Sequence, residues 1–397
     1  MPSNHDCLSL IGPIVDRMSG ELIELSHSIH DHPELGLEEY KAAEWLTSFM
    51  SRHGFTVQRP YMGLETAFRA VCETVGKGPQ IAFLAEYDAL KGLGHACGHN
   101  IIAASSAGAA AALAEALQGR EGAVYLYGTP AEETFGSKVL MSDRGAFDGI
   151  DCAMMMHPSA ELNIVGRGGL AAVSLDVVFE GKPAHSSKPD DGINALTSAI
   201  GLFNAVNAQL HLWPNKSKIN GIITEGGQAS NVIPDRACCS FTMRAERKDQ
   251  IVPMIEDFKR LVQASALLTG AKSSVTVGSV MAERHCNRVL DAAFKNAVEA
   301  LGEPVVWADP NGMFGSSDIG NVSLLVPAIH TYLSLEIPGC VGHTPEFCRA
   351  ARSERGDRIA VLGAKALAMT GWQAATDGVT LQAARREYEE QVLPHRC

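Results

Sequence analysis

The stretch QIAFLAEYDALKGLGHACGHN, residues 80–100, decides the fold class. Its first half is a short, continuous apolar run that ends in Glu86 and Asp88, the pattern of a strand buried on both faces. Gly94 and Gly98 disfavour a helix across the second half. The small-residue run IIAASSAGAAAALAEAL (101–117) then predicts a tightly packed helix beginning near Asn100. Strand, glycine-rich turn and helix make the repeating unit of an α/β protein. If the turn is extended, His95, Cys97 and His99 project to one side; on a helix only the two histidines would share a face. The extended reading lets Cys97-x-His99 offer a sulfur and an imidazole to one centre. That donor pair suits zinc, cobalt, nickel or manganese better than magnesium. A glycine turn around a buried cysteine is the other reading at this point.

Two more apolar runs end the same way. AVYLYGTPAEE (123–133) finishes in Glu132 and Glu133, and GIDCAMMMHP (149–158) finishes at His157. Polar groups at the carboxyl ends of buried strands mark the edge where α/β sheets collect their sites. The adjacent glutamates read either as a solvated helix start or as one metal ligand beside one proton carrier. His157 reads as a core histidine or a ligand. Upstream, residues 8–54 predict helices interrupted by DHPELG (31–36), with Glu38 and Glu39 suited to a helix N-terminus. From residue 171 a strand (171–181), helix (191–212), two strands (218–225, 236–244), helix (248–267) and strand (273–280) follow. That βαββαβ order predicts a ferredoxin-like domain inserted at 171–283. A first domain would then comprise 1–170 and 284–397, since RVLDAAFKNAVEAL (288–301) resumes the earlier alternation.

Composition excludes several classes. The 397 residues carry a net charge of −12, and their 33 Lys and Arg are scattered, which disfavours nucleic-acid binding. Ten cysteines without a CxxC pair read as reduced thiols of a cytoplasmic protein. The N-terminal MPSNHDCLSLIGPIVD lacks a basic, apolar leader pattern. Residues 101–117 are too small and carry Glu115, so no membrane association is expected.

HDHPELG (30–36), AEYDALKGLGHACGHN (85–100), TPAEE (129–133), MHP (156–158), GKPAHSS (181–187), NVIPD (231–235) and GSSDIGNVS (315–323) together resemble metallopeptidase family M-twenty. The resemblance is strongest to its subgroup of hippurate hydrolases, auxin-conjugate amidohydrolases, aminobenzoyl-glutamate hydrolases and β-alanyl-lysine type dipeptidases. It implies a zinc-peptidase-like three-layer catalytic domain with an inserted lid and dimerisation domain. It implies two divalent ions, with Cys97 bridging, Glu133 and His343 completing one site and His99 and His157 the other. Glu132 matches the general base, taking a proton as a metal-bridged hydroxide attacks an amide. Asp88 matches the carboxylate that orients a ligand, and His185 the oxyanion donor from a partner subunit. Arg244 matches the clamp for a free substrate carboxylate, with Asn231 and the 315–318 loop as weaker substrate contacts. The implied protein is a homodimer, its tetramerisation open, acting on small dipeptides or N-acyl amino acids. Two departures stand out: Lys91 follows DAL where relatives have proline, and TFGS (134–137) replaces a glycine run, so Phe135 is expected to reshape the acyl pocket. Two alternatives carry different chemistry. Cys97 could act as a thiol nucleophile with His95 or His99, which leaves Glu132, Glu133 and His157 unexplained. The chain could also be an inactive binding scaffold, although no ligand or base position is lost.

Overall fold

The computed structural model describes residues 4–310, 312 and 315–395. Two compact units divide the chain: one runs to Gly168 and resumes at Arg284, the other spans Gly169–Glu283.

The first unit is built on an eight-stranded sheet. Its strands are β1 (Thr56–Gln58), β2 (Phe68–Glu73), β3 (Gln80–Ala85), β4 (Ala123–Gly128), β5 (Cys152–Ser159), β6 (Ile164–Val165), β11 (Val306–Trp307) and β12 (Ala328–Ser334). Their spatial order is β1-β2-β4-β3-β5-β12-β6-β11, with a parallel centre of β4, β3, β5 and β12. Strand β3 shows why this sheet is a middle layer. Ile81, Phe83 and Ala85 belong to one apolar core, while Ala82 and Leu84 belong to another. Alternate residues face opposite sides, so both faces must be covered.

The first core is closed by α1 (Asn4–Asp31), α2 (Tyr40–Arg52), α3 (His99–Ala116), α7 (Arg288–Ala300), α9 (Pro345–Ala350), α10 (Glu354–Thr376) and α11 (Gly378–Gln391). The second lies under α4 (Ser137–Asp143) and α8 (Ile319–Ser323), around Tyr127, Met141, Phe147 and Ile319. Every residue of α3 from His99 to Ala114 is buried. Its small side chains let neighbours approach closely: a Cβ on Gly108 would lie 2.6 Å from Leu22 Cδ1 and 3.0 Å from Ala364 Cβ. Among the described residues no helix is long and apolar enough to cross a membrane.

The DHPELG interruption works differently from a simple break. Glu34 accepts hydrogen bonds from the backbone N–H of Lys41 and Ala42 at 2.9 and 3.0 Å, and Leu35 makes a parallel bridge to Ala89. Glu34 therefore satisfies the start of α2, the task expected of Glu38 and Glu39. Glu39 is buried instead. It accepts from the N–H of Ala131 at 2.7 Å and from Thr66 Oγ1 at 2.9 Å.

The second unit contains β7 (Ala171–Glu180), α5 (Ala195–Gln209), β8 (Lys218–Glu225), β9 (Arg236–Ala245), α6 (Lys248–Leu267) and β10 (Lys272–Val277). Its antiparallel sheet has the order β10-β7-β9-β8, so the unit is the βαββαβ ferredoxin-like fold. Val173, Leu175, Val177 and Phe179 alternate along β7 into a separate core with Phe241 and Phe258. Strand β8 is an edge, with Ile222 and Ile223 exposed.

Candidate metal centre

Asp88, Glu132–Glu133 and His157 follow or end β3, β4 and β5, three neighbours of the parallel sheet. The chain after β3 does not run extended. Gly92, Gly94 and Gly98 take φ values of 75°, 65° and 78°, a left-handed backbone that glycine adopts without strain. The N–H of Gly98 donates to the His95 carbonyl at 3.0 Å, closing a turn that parts His95 from the other two residues expected on one side. His95 is buried beside His30, with ring centroids 6.0 Å apart, and belongs to no candidate metal group among the described residues. His99 opens α3 and Cys97 precedes it.

The ligating atoms of Cys97, His99 and His157 lie within 4.8 Å of one another, as do those of Cys97, Glu133 and His343. Cys97 is common to both groups. Its Sγ is 3.4 Å from His157 Nε2, and His343 Nε2 is 3.2 Å from Glu133 Oε1. His343 arrives from the far end of the chain. It sits at φ 63°, pinned by its N–H donating to the Ala96 carbonyl at 2.9 Å.

Second partners orient these groups. His99 Nδ1 lies 2.9 Å from Asp88 Oδ1, and the N–H of Glu133 donates to Asp88 Oδ2 at 3.0 Å. One buried carboxylate thus holds both an imidazole and a glutamate backbone. With a cation bound, the proton on Nδ1 would leave His99 an unprotonated Nε2 facing the centre; without one, Asp88 favours the charged ring. His157 Nδ1 faces the Pro158 carbonyl at 2.6 Å, which leaves its Nε2 free in the same way. Glu132 and Glu133 hang from a turn in which Ala131 takes φ 57°, and Glu39 holds that residue's N–H.

The electrostatics fit a cationic occupant. His99 Nε2 is buried without a well-directed hydrogen bond, a costly state in native interiors, although carboxylate oxygens of Glu86 and Glu133 lie 3.4 and 3.8 Å away. Burial pushes the Cys97 thiol far up, so no thiolate forms at neutral pH unless a cation compensates. Burial, then the Glu86, Asp318 and Glu133 carboxylates, drive the Glu132 pKa well up. Burial and the charge on His99 lower His157 to about 4, keeping it a neutral donor. Thiolate, imidazoles and carboxylates around two points suit two divalent ions of the transition series. The same burial weakens the thiol-nucleophile reading.

In the second unit, the N–H of Ser186 donates to the Asn231 carbonyl and His185 bridges Val232, so His185 and Asn231 share one end of the sheet. Arg244 lies near the other end of β9, between Lys218 and Ala172. From Arg236 to Arg244 the strand covers roughly 26 Å at ~3.3 Å per residue. Phe135, half-buried, packs on the core layer around Tyr127 and Phe147.

Among the groups beside the centre, Lys138 escapes a reading of the sequence, whereas Glu86 is read as a strand-end carboxylate and Asp318 as part of the 315–318 loop. Glu86 Oε2 is 3.4 Å from His99 Nε2, and Lys138 joins Glu86 to Asp318. In SKVLMSD the lysine looks like an ordinary exposed helix residue; the one hint is its place beside the apolar VLM.

A family model described as a peptidase dimerisation domain matches residues 165–268. The mouse Xaa-Arg dipeptidase is 34% identical over 96% of this chain and 92% of its own. A p-aminobenzoyl-glutamate hydrolase chain of Escherichia coli is 25% identical over 94% and 93%. Among solved structures, a Bacillus subtilis dinuclear metal binding peptidase superposes with a TM-score of 0.64 and 21% identity, covering 89% of this chain and 98% of its own. The Klebsiella pneumoniae aminobenzoyl-glutamate utilization protein gives 0.70 and 18%, covering 93% and 99%. This chain belongs to metallopeptidase family M-twenty, metal-dependent amide hydrolases whose catalytic fold carries an inserted dimerisation domain.

Proposed function

We propose that the protein is a dipeptidase that removes a C-terminal, basic amino acid bearing a free carboxylate, with N-acyl amino acids as secondary substrates. The convergence of five donors on two points that share Cys97 carries this reading. Two features favour a basic leaving residue. The net charge of −12 attracts cations, and a 34% identical relative is named an Xaa-Arg dipeptidase.

In this reading Cys97, Glu133 and His343 hold one ion, and Cys97, His99 and His157 the other. The ions are zinc, manganese, cobalt or nickel. When bound they supply Lewis acidity, which polarises the scissile carbonyl and acidifies water. Glu132 takes the proton released in the attack and returns it to the departing nitrogen. Asp88 keeps the His99 proton on Nδ1 throughout. Arg244 binds the substrate carboxylate through its planar guanidinium. His185 donates to the carbonyl oxygen as it gains charge, and Asn231 contacts substrate beside it. The exposed half of Phe135 borders the acyl group.

Because Arg244 and the His185–Asn231 end are separated along β9, a homodimer is the natural assembly, each protomer lending His185 and Asn231 to its partner. The exposed edge of β8 and the matched dimerisation domain support such a pairing. The cysteine content favours the cytoplasm.

A panel of dipeptides and N-acyl amino acids, assayed after reconstitution with each metal, tests the proposal. Xaa-Arg and Xaa-Lys should be cleaved fastest and their C-terminal amides not at all. Equal cleavage of the amides overturns the clamp. His185→Ala should keep its metal and lose kcat by about 100- to 1,000-fold, the usual cost of one oxyanion donor.

A further inference from the structure

Beside the metal centre, Glu86, Glu132 and Asp318 bring one carboxylate oxygen each within 4.8 Å of the others. Three such oxygens form the kind of set that a divalent cation takes. A charge is already there. The Lys138 ammonium donates to Glu86 Oε1 at 2.6 Å and to Asp318 Oδ1 at 2.7 Å, and its backbone N–H donates to Asp318 Oδ2 at 3.0 Å. The side chains of Lys138, Glu86 and Asp318 are at most 1% exposed. Burial opposes the ammonium, but Asp318 and Glu86 outweigh it and hold its pKa above the usual lysine value.

An ammonium and a metal ion differ in what they do to a carboxylate. A divalent ion would bind Glu132 directly and consume its lone pairs. An ammonium offers three hydrogens and no coordination shell, so it offsets the charge of the cluster yet leaves Glu132 able to carry a proton. We propose that Lys138 is a positioning residue whose ammonium takes the place of a third divalent cation, closing the Glu86–Glu132–Asp318 pocket to metal and leaving Glu132 uncoordinated. For the role of Glu132 this rests on the hydrolase reading above; for the exclusion of metal it does not.

The test counts ions and measures kinetics on the same preparations. Wild type, Lys138→Met and Lys138→Arg are saturated with Mn²⁺, freed of excess by gel filtration and analysed for metal per chain. Lys138→Met should carry one more ion than wild type and lose kcat by about 100-fold with KM unchanged, the low end of what proton transfer contributes. Lys138→Arg should restore the wild-type ion count and most of kcat. A folded Lys138→Met with the wild-type ion count overturns the proposal, whatever its activity. If Lys138→Met fails to fold, Lys138→Gln, whose amide still donates to the carboxylates but carries no charge, replaces it. It should likewise carry one more ion than wild type and show the same fall in kcat at constant KM; the wild-type ion count would overturn the proposal. A wild type inactive on every substrate removes the hydrolase reading, while its ion count against Lys138→Met still decides the role of the lysine.

Discussion

Asp88 does two jobs with one carboxylate, and both depend on its charge. Oδ1 meets His99 Nδ1 and Oδ2 accepts from the Glu133 backbone, while His99 and that N–H outweigh burial and keep its pKa below the usual value. Asparagine has one acceptor oxygen, so Asp88→Asn must release one of the two. Metal affinity should fall about 10- to 100-fold, the usual effect of losing a group that orients a ligand. Competition with a chelating dye measures it, and unchanged affinity would sink the orienting role. Glu39 gives a pH prediction. Burial, helped by Asp88, raises its pKa from 4.5 to about 7. A carboxyl raised on folding binds its proton more tightly when folded, so its stabilisation is complete below pH 4.5 and lost as the pH rises through 7. Asp291, pushed by burial to about 7, adds the same sign. The contribution of these two carboxyls to the stability of metal-free protein should therefore fall between about pH 4 and 7, by at most about 3 kcal/mol for Glu39 and about 4 kcal/mol for Asp291. Glu39→Gln should flatten roughly half of that slope in urea titrations, and an unaltered slope would exclude Glu39 as its source.

Among elements, α3 carries most of the packing demand. It begins with His99 and stays buried for four turns, so its contacts with α1 and α10 set the position of a candidate ligand. Small residues make that possible, and they leave no room for larger ones. Gly108→Val would push a branched side chain into Leu22 and Ala364, at a cost of about 1–3 kcal/mol. The urea midpoint should fall accordingly. The glutamate turn is an element of another kind, held by contacts rather than by its own preference. A Cβ on Gly36 would meet Ala131 Cβ at 2.9 Å and Thr134 Oγ1 at 2.5 Å, so HPELG presses directly on TPAEE. This contact explains a motif that carries no ligand of its own.

At the scale of the molecule, two units with separate cores predict two stability levels. All five candidate ligands belong to the first, and a bound ligand at 100 to 1,000 times its Kd adds about 2.7–4.1 kcal/mol. Chelation should therefore lower one calorimetric transition and leave the other in place. Phe258→Ala, in the core of the insert, should do the reverse, with a loss of about 3–5 kcal/mol. Both transitions moving together under either treatment would show that the units unfold as one.

Much of this architecture is local and therefore legible in the sequence. Six-residue apolar runs closed by polar groups predict β3, β4 and β5 with the edge they share, and alternation with turns predicts the βαββαβ insert, because strand period and turn chemistry are set by near neighbours. The rest is decided by residues that meet only after folding. His95 parts from Cys97 and His99 because a turn closed by the Gly98 N–H on the His95 carbonyl, and not an extended run, joins them. Lys138 is buried because Glu86, 52 positions earlier, and Asp318, 180 positions later, both reach it. Arg244 lies far from His185 because both hang on the length of one strand. Charge and burial depend on what converges in space, and no window of sequence contains that.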